Sequence, residues 1–213
     1  MSYDAPPICE REILRYAGCK YADSEISSLL ASCLNELGKK LSYKVCFREL
    51  SVEINDGVCN FDLFALRSSK LAANLSGCKR TILFAATIGF EIDRLIAKHS
   101  RLSPAKALMF QAIGTERIEA LCDKFCEETK LKMDCGMKLR FSPGYGDLPL
   151  DAQKEIFSIL DCGRQIGISL NDSLLMSPSK SVTAFAGLCS KENTIVINKC
   201  LSCSKQDCVY RCI

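Results

Sequence analysis

The sequence predicts an α+β fold, in which a twisted and mainly antiparallel sheet is flanked by helices. Some segments repeat apolar residues with the helical period, others alternate them with a period of two, and the two kinds of segment are clustered along the chain. Of the 213 residues, 48% are hydrophobic and 25% are charged, which is typical of a globular protein with a core of its own. We expect one domain over residues 1–198, followed by a cysteine-rich C-terminal tail over residues 199–213.

The N-terminal region is predicted to be helical. A first helix is expected over residues 8–17, ending at Gly18. A second helix should follow Asp23 or Ser24, either of which can cap it. Its apolar residues recur every three or four positions and form one buried stripe, which consists of Ile26, Leu29, Leu30, Cys33, Leu34 and Leu37.

The next segments carry the strand pattern. Residues 43–47 alternate apolar and polar side chains, and residues 50–54 resume the alternation one step out of phase, which predicts a β-bulge near Arg48. The sequence Asn55-Asp56-Gly57 is typical of a hairpin turn and leads into a strand predicted over residues 58–64. Residues 81–88 are almost continuously apolar, and this indicates a central strand that is covered on both faces.

The second half of the chain combines helices with shorter strands. A helix is predicted over residues 90–98, and Ser103-Pro104 should open a long helix that reaches about Thr129. Gly114 in this helix permits close approach by a neighbouring element. The remaining elements are expected to be a short strand, a loop over 141–150, a helix over 151–160 and strands over 166–169, 182–188 and 194–197.

The charge pattern and the missing motifs exclude several classes of function. The net charge is only +3 and the basic residues are scattered, so we expect no nucleic-acid binding. No apolar run approaches the roughly 20 residues that span a bilayer, and the first residues lack a signal-peptide pattern, so we expect a cytoplasmic protein that does not bind membranes. The single histidine, His99, excludes HExxH sites and Ser-His-Asp triads and should complement a helix dipole or face solvent.

Fifteen cysteines form the next unusual feature. Their odd number and the missing signal peptide indicate that most are reduced, and Cys33 and Cys46 are expected to act as core filler. Four thiolates close together can surround a zinc ion or an iron–sulfur cluster, although a redox-active tail and an unspecialised chain end are the alternatives. The four that lie close together in the tail are Cys200, Cys203, Cys208 and Cys212.

The segment from Arg140 to Pro149, RFSPGYGDLP, is the most distinctive part of the sequence. Its two prolines stiffen the chain, and its two glycines let the backbone come close to a ligand. Arg140 can bind a carboxylate through two hydrogen bonds, and Tyr145 can stack on an aromatic ring or lie against a cation. Taken alone, these residues fit a ligand-binding loop and a rigid structural turn equally well.

The run RFSPGY resembles the Arg-x-x-Pro-Gly-Tyr signature of the activation domain of vitamin B12-dependent methionine synthase. The similarity extends over about residues 45–197 and includes FAATIGFEIDRLI, AIGTERIEALCD and the GDLPLDAQ that follows the signature. The resemblance implies the fold of that activation domain, and it implies S-adenosylmethionine as the ligand. In that family the arginine binds the ligand carboxylate and the loop backbone binds the rest of the molecule.

Carried over residue by residue, the resemblance implies a binding loop in this chain. Arg140 would pair with the ligand carboxylate. Ser142 and Gly144 would contribute backbone contacts on either side of Pro143. Tyr145 would lie beside the ligand, near the face presented to the corrin.

The family also places an acidic residue on the preceding long helix and tyrosines on the last strand. Glu116 or Glu119 would supply the acid here, with a solvated helix charge as the alternative. The late tyrosines are replaced by residues such as Thr194 and Ile195. The pose of the ligand is therefore expected to differ in detail from that of the family.

By resemblance, the function is the repair of a corrinoid enzyme. Cob(I)alamin is at times oxidised to inactive cob(II)alamin, and methyl transfer from S-adenosylmethionine draws its re-reduction forward. The resemblance implies cobalamin supplied by a partner, which is a cobalamin-binding methionine synthase or another corrinoid protein, and a flavodoxin or ferredoxin as electron donor. The chain would act in trans, as a component of methionine synthase activity and not as a complete catalyst.

Two other functions stay open at this point. The chain is alternatively a reactivation or electron-transfer module for another corrinoid methyltransferase, with an iron–sulfur cluster held by the tail. It is otherwise a scaffold that has lost its ligand and only binds a partner.

Overall fold

The structure, a computed structural model, describes residues 1–19 and 21–191. The helices are α1 Glu10–Tyr16, α2 Ser24–Leu37, α3 Ser69–Asn74, α4 Glu91–Leu102, α5 Pro104–Met133, α6 Ala152–Leu160 and α7 Cys162–Ile166. The strands are β1 Lys44–Asn55, β2 Val58–Phe61, β3 Ala65–Arg67, β4 Arg80–Thr87, β5 Gly136–Met137, β6 Ser169–Leu170, β7 Met176–Ser177 and β8 Ser181–Cys189. Within this part of the chain, each helix is too short or too polar to cross a membrane.

Six of these strands form one sheet in the order β3-β2-β1-β4-β8-β5. Every neighbouring pair in it is antiparallel. β4 lies between β1 and β8, and all of its residues except Arg80 are buried, as its continuous apolar run predicted. Strands β6 and β7 form a separate hairpin. The predicted α+β fold with a mainly antiparallel sheet is thus confirmed.

Helices cover both faces of the sheet and create two cores. One core lies between the sheet and α1, α2, α4 and α5, and the other lies between the sheet and α3, α6 and α7. Because side chains alternate along a strand, Val45 faces the first core whereas Leu50 and Val52 face the second. The predicted bulge near Arg48 is wrong, since β1 pairs with β4 without interruption over residues 44–51. The pattern of apolar residues in β1 changes phase because the face of the sheet that is more deeply covered changes along this strand.

Local signals place several element ends correctly. The carboxylate of Asp23 accepts a hydrogen bond from the backbone N–H of Ile26 at 2.8 Å and starts α2. Asp56 and Gly57 have φ angles of 48° and 74°, as the two central residues of a type I′ hairpin turn require. Cys33 and Cys46 are buried in the two cores, as predicted.

Other predicted elements differ from the observed ones. The strand predicted over 166–169 is wrong at its start, because residues 162–166 form α7 with Cys162 and Ile166 on its buried face. The strand predicted over 58–64 ends at Phe61, whose N–H donates to the carbonyl of Phe64 as the chain turns into β3. The strand predicted over 194–197 lies outside the described residues.

His99 has a structural environment that the sequence did not indicate. Its side chain is buried, its ring stacks on Phe110, and its Nε2 lies 2.9 Å from Glu36 Oε1. Lys98 donates to the same carboxylate at 2.7 Å. His99 lies in the last turn of α4, as expected of a residue that complements the helix dipole, but the alternative of a solvent-facing histidine is wrong, because the ring is buried and this cluster joins α2 to α4.

The long helix α5 passes close to α4 at Gly114. A Cβ atom at this position would lie 2.8 Å from Ile92 Cγ2 and 2.9 Å from Lys180 Cε. Ile92 is fully buried and has little room to move, because protein cores are close-packed. The absence of a side chain at Gly114 therefore lets the two helices meet, as predicted.

Replacing Gly114 by valine should lower the free energy of unfolding by about 2 kcal/mol, because the new side chain overpacks the contact with Ile92. Urea denaturation measures this difference. Gly163→Ala is the matched control, since its Cβ would meet only the carbonyl oxygen of Ile168 at 3.8 Å. Equal stability of Gly114→Val and wild type would contradict the proposed close contact.

Candidate ligand-binding site

The loop over residues 140–149, called here the signature loop, continues the edge of the sheet beyond β5. The N–H of Phe141 donates to the carbonyl of Phe185 at 2.9 Å, and the N–H of Phe185 donates back at 2.8 Å. Phe185 lies in the middle of β8, and its side chain is fully buried. The start of the loop is therefore fixed to the central part of the sheet.

Short-range hydrogen bonds close the signature loop on itself. Gly144 N–H donates to the carbonyl of Leu148 at 2.9 Å, and Tyr145 N–H donates to the carbonyl of Ser142 at 3.2 Å. Gly144 has a φ of 85°, a conformation that residues with a side chain rarely adopt. The side chain of Leu148 is buried in the second core. The loop is a folded unit and presents a defined surface.

Asp147 joins the signature loop to the start of α3. Its carboxylate accepts hydrogen bonds from the backbone N–H groups of Ser69 at 2.7 Å and Lys70 at 3.1 Å. The hydroxyl groups of Ser68 and Ser69 also donate to it. These hydrogen bonds hold the pKa of Asp147 well below its ordinary value, because they stabilise the ionised carboxylate.

The side chain of Arg140, at the base of the loop, extends to α5, which belongs to the helical layer of the first core. Its Nη2 atom lies 2.6 Å from Glu119 Oε2, and its Nη1 atom lies 2.5 Å from Asp123 Oδ1. Glu119 and Asp123 are four residues apart and therefore share one face of α5. The side chain of Arg140 is three-quarters buried, and the charge of its guanidinium group is balanced by these two carboxylates.

A cleft of about 560 Å³ lies beside the signature loop, which is within the range of small-molecule sites. Tyr145 stands at its edge and is 69% exposed. The lining comes from α3, α5, α6, the 174–176 segment and β8, in addition to the loop and the residues on either side of it. The residues are Asn74, Glu119, Leu139, Arg140, Phe141, Ser142, Pro143, Tyr145, Leu150, Gln153, Leu174, Leu175, Met176, Ser181, Val182 and Thr183.

The structure brings most of the predicted site residues together. Glu119 and, from the loop, Arg140, Ser142, Pro143 and Tyr145 all line the cleft. Gly144 supports the loop from outside the lining, and its N–H is taken by Leu148.

Glu116 lies elsewhere, in a buried pair with Arg117. Its Oε2 atom is 2.5 Å from Arg117 Nε, and its Oε1 atom accepts a hydrogen bond from the N–H of Cys9 at 3.1 Å. Arg117 donates to the carbonyls of Pro6 and Pro7 at 2.6 Å. Glu116 thus helps to fix the N-terminal segment to α5 and does not line the cleft.

Sequence reasoning missed four polar residues of the cleft. They are Asn74 at the end of α3, Gln153 in α6, and Ser181 and Thr183 in β8. Gln153 could have been found, because it shares the buried face of α6 with Ile156, where a polar side chain needs a specific partner. Asn74 and Thr183 carry no comparable signal.

The described residues contain no group of three or more His, Cys, Asp or Glu side chains that could hold a metal ion. The zinc or iron–sulfur site predicted in the tail lies outside residues 1–19 and 21–191. The tail is made of residues 199–213 and contains Cys200, Cys203, Cys208 and Cys212.

The structure is an α+β domain with a cleft of small-molecule size beside a rigid Arg-to-Tyr loop. The sequence matches the family model described as the vitamin B12 dependent methionine synthase activation domain over residues 71–201, which is more than half of the chain. The chain therefore belongs to this family, and the predicted resemblance is confirmed.

One solved structure supports the same fold. Its title is "Crystal Structure of the MetH Reactivation Domain bound to AdoHcy", and it superimposes with a TM-score of 0.60 at 17% sequence identity. The matched region covers 76% of this chain and 65% of that one. No curated protein matches the sequence.

Replacing Asp147 by asparagine should loosen the signature loop, because the carboxylate that binds the start of α3 loses its charge. We expect amide hydrogen exchange at Gly144 and Leu148 to become roughly tenfold faster.

The same hydrogen bonds should depend on pH in the wild-type protein. The folded-state pKa of Asp147 is depressed, so the restraint that its carboxylate places on the loop should weaken as the pH falls below the ordinary aspartate pKa.

The matched control for this measurement is Asp151→Asn, which changes an exposed ion pair with Lys154 at the start of α6, just after the loop. This variant should exchange at the wild-type rate. Equal exchange rates in Asp147→Asn and Asp151→Asn would show that Asp147 does not restrain the loop.

Proposed function

We propose that this chain binds S-adenosylmethionine in the cleft and supports the reductive methylation of cob(II)alamin held by a separate protein. Membership of the activation-domain family supports reductive methylation of cobalamin as the reaction. The observation that carries the ligand assignment is the position of Arg140 in the cleft, between the signature loop and Glu119. The neighbouring structure bound to AdoHcy, the product of methyl donation, is in keeping with this ligand.

The amino-acid end of the ligand is proposed to lie at Arg140 and Glu119. A guanidinium group has five N–H donors, and the contacts with Glu119 and Asp123 use two of its nitrogens on one side. The remaining donors can hold the ligand carboxylate, and Glu119 can accept a hydrogen bond from the ligand ammonium group. A positive and a negative side chain in contact match the two opposite charges of an amino acid.

The remaining contacts are proposed to come from the loop itself. Ser142, Pro143 and Tyr145 line the cleft. The N–H of Gly144 is bonded to Leu148 and Gly144 does not line the cleft, so its proposed role is to hold the loop in shape. Tyr145 is exposed at the mouth of the cleft, where it can lie against the ligand on the side from which a corrin would approach.

In this proposal the protein positions the ligand and supplies no nucleophile. Cobalamin, bound by the partner and reduced by one electron from a flavodoxin or ferredoxin, supplies the group that accepts the methyl. When bound, the reduced cobalamin would supply the electron pair that takes the methyl group, and the sulfur would keep the pair of the broken carbon–sulfur bond in S-adenosylhomocysteine. Arg140 and the signature loop hold the sulfonium in one orientation, and this orientation is the contribution of the chain.

The partner is proposed to be a methionine synthase, or another corrinoid protein, that carries the cobalamin domain on its own chain. The matched region covers 65% of the MetH reactivation domain structure. Residues 1–198 are proposed as the functional domain. The proposed role of residues 199–213 as a separate metal or redox tail is independent of the cleft.

Arg140→Ala should weaken the binding of S-adenosylmethionine at least 30-fold, because hydrogen bonds to a charged group contribute about 2 kcal/mol or more. Isothermal titration calorimetry measures the dissociation constants. Arg164→Ala is the control, because Arg164 is an exposed arginine of α7 paired only at 3.7 Å with Asp161. Equal affinity of Arg140→Ala and wild type would remove the proposed site.

Action in trans is tested by reconstitution with a cobalamin-binding methionine synthase fragment that lacks its own activation domain. With a one-electron donor and S-adenosylmethionine present, we expect methylcobalamin to form only after this protein is added, as followed by its visible spectrum. The Arg140→Ala variant should give little product. Methylcobalamin formation at the same rate without this protein would contradict the proposal.

A further inference from the structure

Two carboxamide side chains line the cleft on the side of the sheet opposite to the layer that holds Arg140. Arg140 contacts α5, which packs in the first core, whereas Asn74 and Gln153 belong to α3 and α6, which pack against the second core. The cleft thus crosses the edge of the sheet. A ligand that fills it has one end near charged groups and the other end near neutral amides.

Gln153 is held in one orientation by a buried hydroxyl group. Its side chain is 3% exposed, and the hydroxyl of Thr183, itself 1% exposed, donates to Gln153 Oε1 at 2.9 Å. The Nε2 group of Gln153 has no hydrogen-bond partner among the described residues. Because Gln153 lines the cleft, its N–H donors are available to a bound molecule.

Asn74 is the second amide without a complete set of partners. Its Oδ1 atom is buried and has no hydrogen-bond donor within the described part of the chain. Leaving a buried acceptor unpaired is unfavourable, and a ligand donor would remove this cost. The amide plane turns about χ2, so Asn74 can offer either its oxygen or its nitrogen to the cleft.

We infer that Asn74 and Gln153 are specificity-determining residues that bind the edge of the adenine ring. Carboxamides suit this base, because they pair with one donor and one adjacent ring-nitrogen acceptor on the same edge. The exocyclic amine of adenine donates to Asn74, and the adjacent ring nitrogen N1 accepts from Gln153. This inference rests on the proposed function, since it assigns the nucleoside end of the ligand whose amino-acid end lies at Arg140.

The test compares the affinities of two ligands that differ only in the base, namely S-adenosylhomocysteine and S-inosylhomocysteine. The second has a carbonyl oxygen in place of the amine and a proton on the adjacent ring nitrogen, so the pattern of donors and acceptors is reversed. Wild type should favour the adenine compound at least about tenfold. Calorimetric titration of the full chain gives the ratio of the two dissociation constants.

Asn74→Ala and Gln153→Met should each bring this ratio close to one. Gln153→Glu is a second variant, because it keeps the acceptor for Thr183 and so preserves the contact between α6 and β8; it should also lose the preference. Gln165→Met is the control, since Gln165 is exposed on α7 and does not line this cleft. It should keep the wild-type ratio.

The ratio separates recognition of the base from a purely structural role. If the variants bind both compounds more weakly but keep the wild-type ratio, Asn74 and Gln153 only support the fold and the inference is overturned. Equal binding of both compounds by wild type also overturns it, while the assignment of Arg140 stands. If wild type binds neither compound, the proposed function fails and this inference fails with it.

Discussion

The antiparallel pairing along β8 is the constraint on which the site depends. β8 pairs with β4 over eight consecutive residues on one side, and on its other side it pairs first with β5 and then with Phe141 at the start of the signature loop. Because alternate residues of a strand face opposite ways, this pairing sends Thr183 and Phe185 towards α3 and α6. It leaves Arg140 beside α5. The two chemically different sides of the cleft follow from this arrangement.

The charge on Arg140 is balanced within the protein before any ligand binds. Glu119 and Asp123 hold the guanidinium group from one side of the cleft, so a buried positive charge is not left without a partner. A neutral or purely anionic ligand would satisfy only part of this cluster, whereas an amino acid brings both a carboxylate and an ammonium group. The signature loop beside this cluster is fixed by Phe141 and Asp147 and therefore has little freedom to move.

The long helix α5 shows how neighbouring acids acquire different roles. Glu116 and Glu119 lie about one turn apart, but Glu116 is buried against Arg117 and Cys9 while Glu119 borders the cleft. The first helps to fix the N-terminal segment, and the side chain of the second lies at the cleft. In α6 a single side chain is divided in a similar way. The Oε1 atom of Gln153 accepts a hydrogen bond from Thr183, and its Nε2 group is left to the cleft.

The sequence by itself determined the features that depend on neighbouring residues. These include the Asp23 cap, the type I′ turn at Asp56-Gly57, the apolar strand β4 and the signature loop with Arg140, since each follows from local backbone preference, hydrophobic period or a contiguous motif. Only the tertiary structure decided that Glu119 and not Glu116 borders the cleft, and that Asn74 and Gln153 line it. It also decided which face of β1 is more deeply covered along the strand. These outcomes depend on contacts between residues far apart in the chain, such as Gln153 with Thr183, and a one-residue rotation of a helix or strand would reverse them.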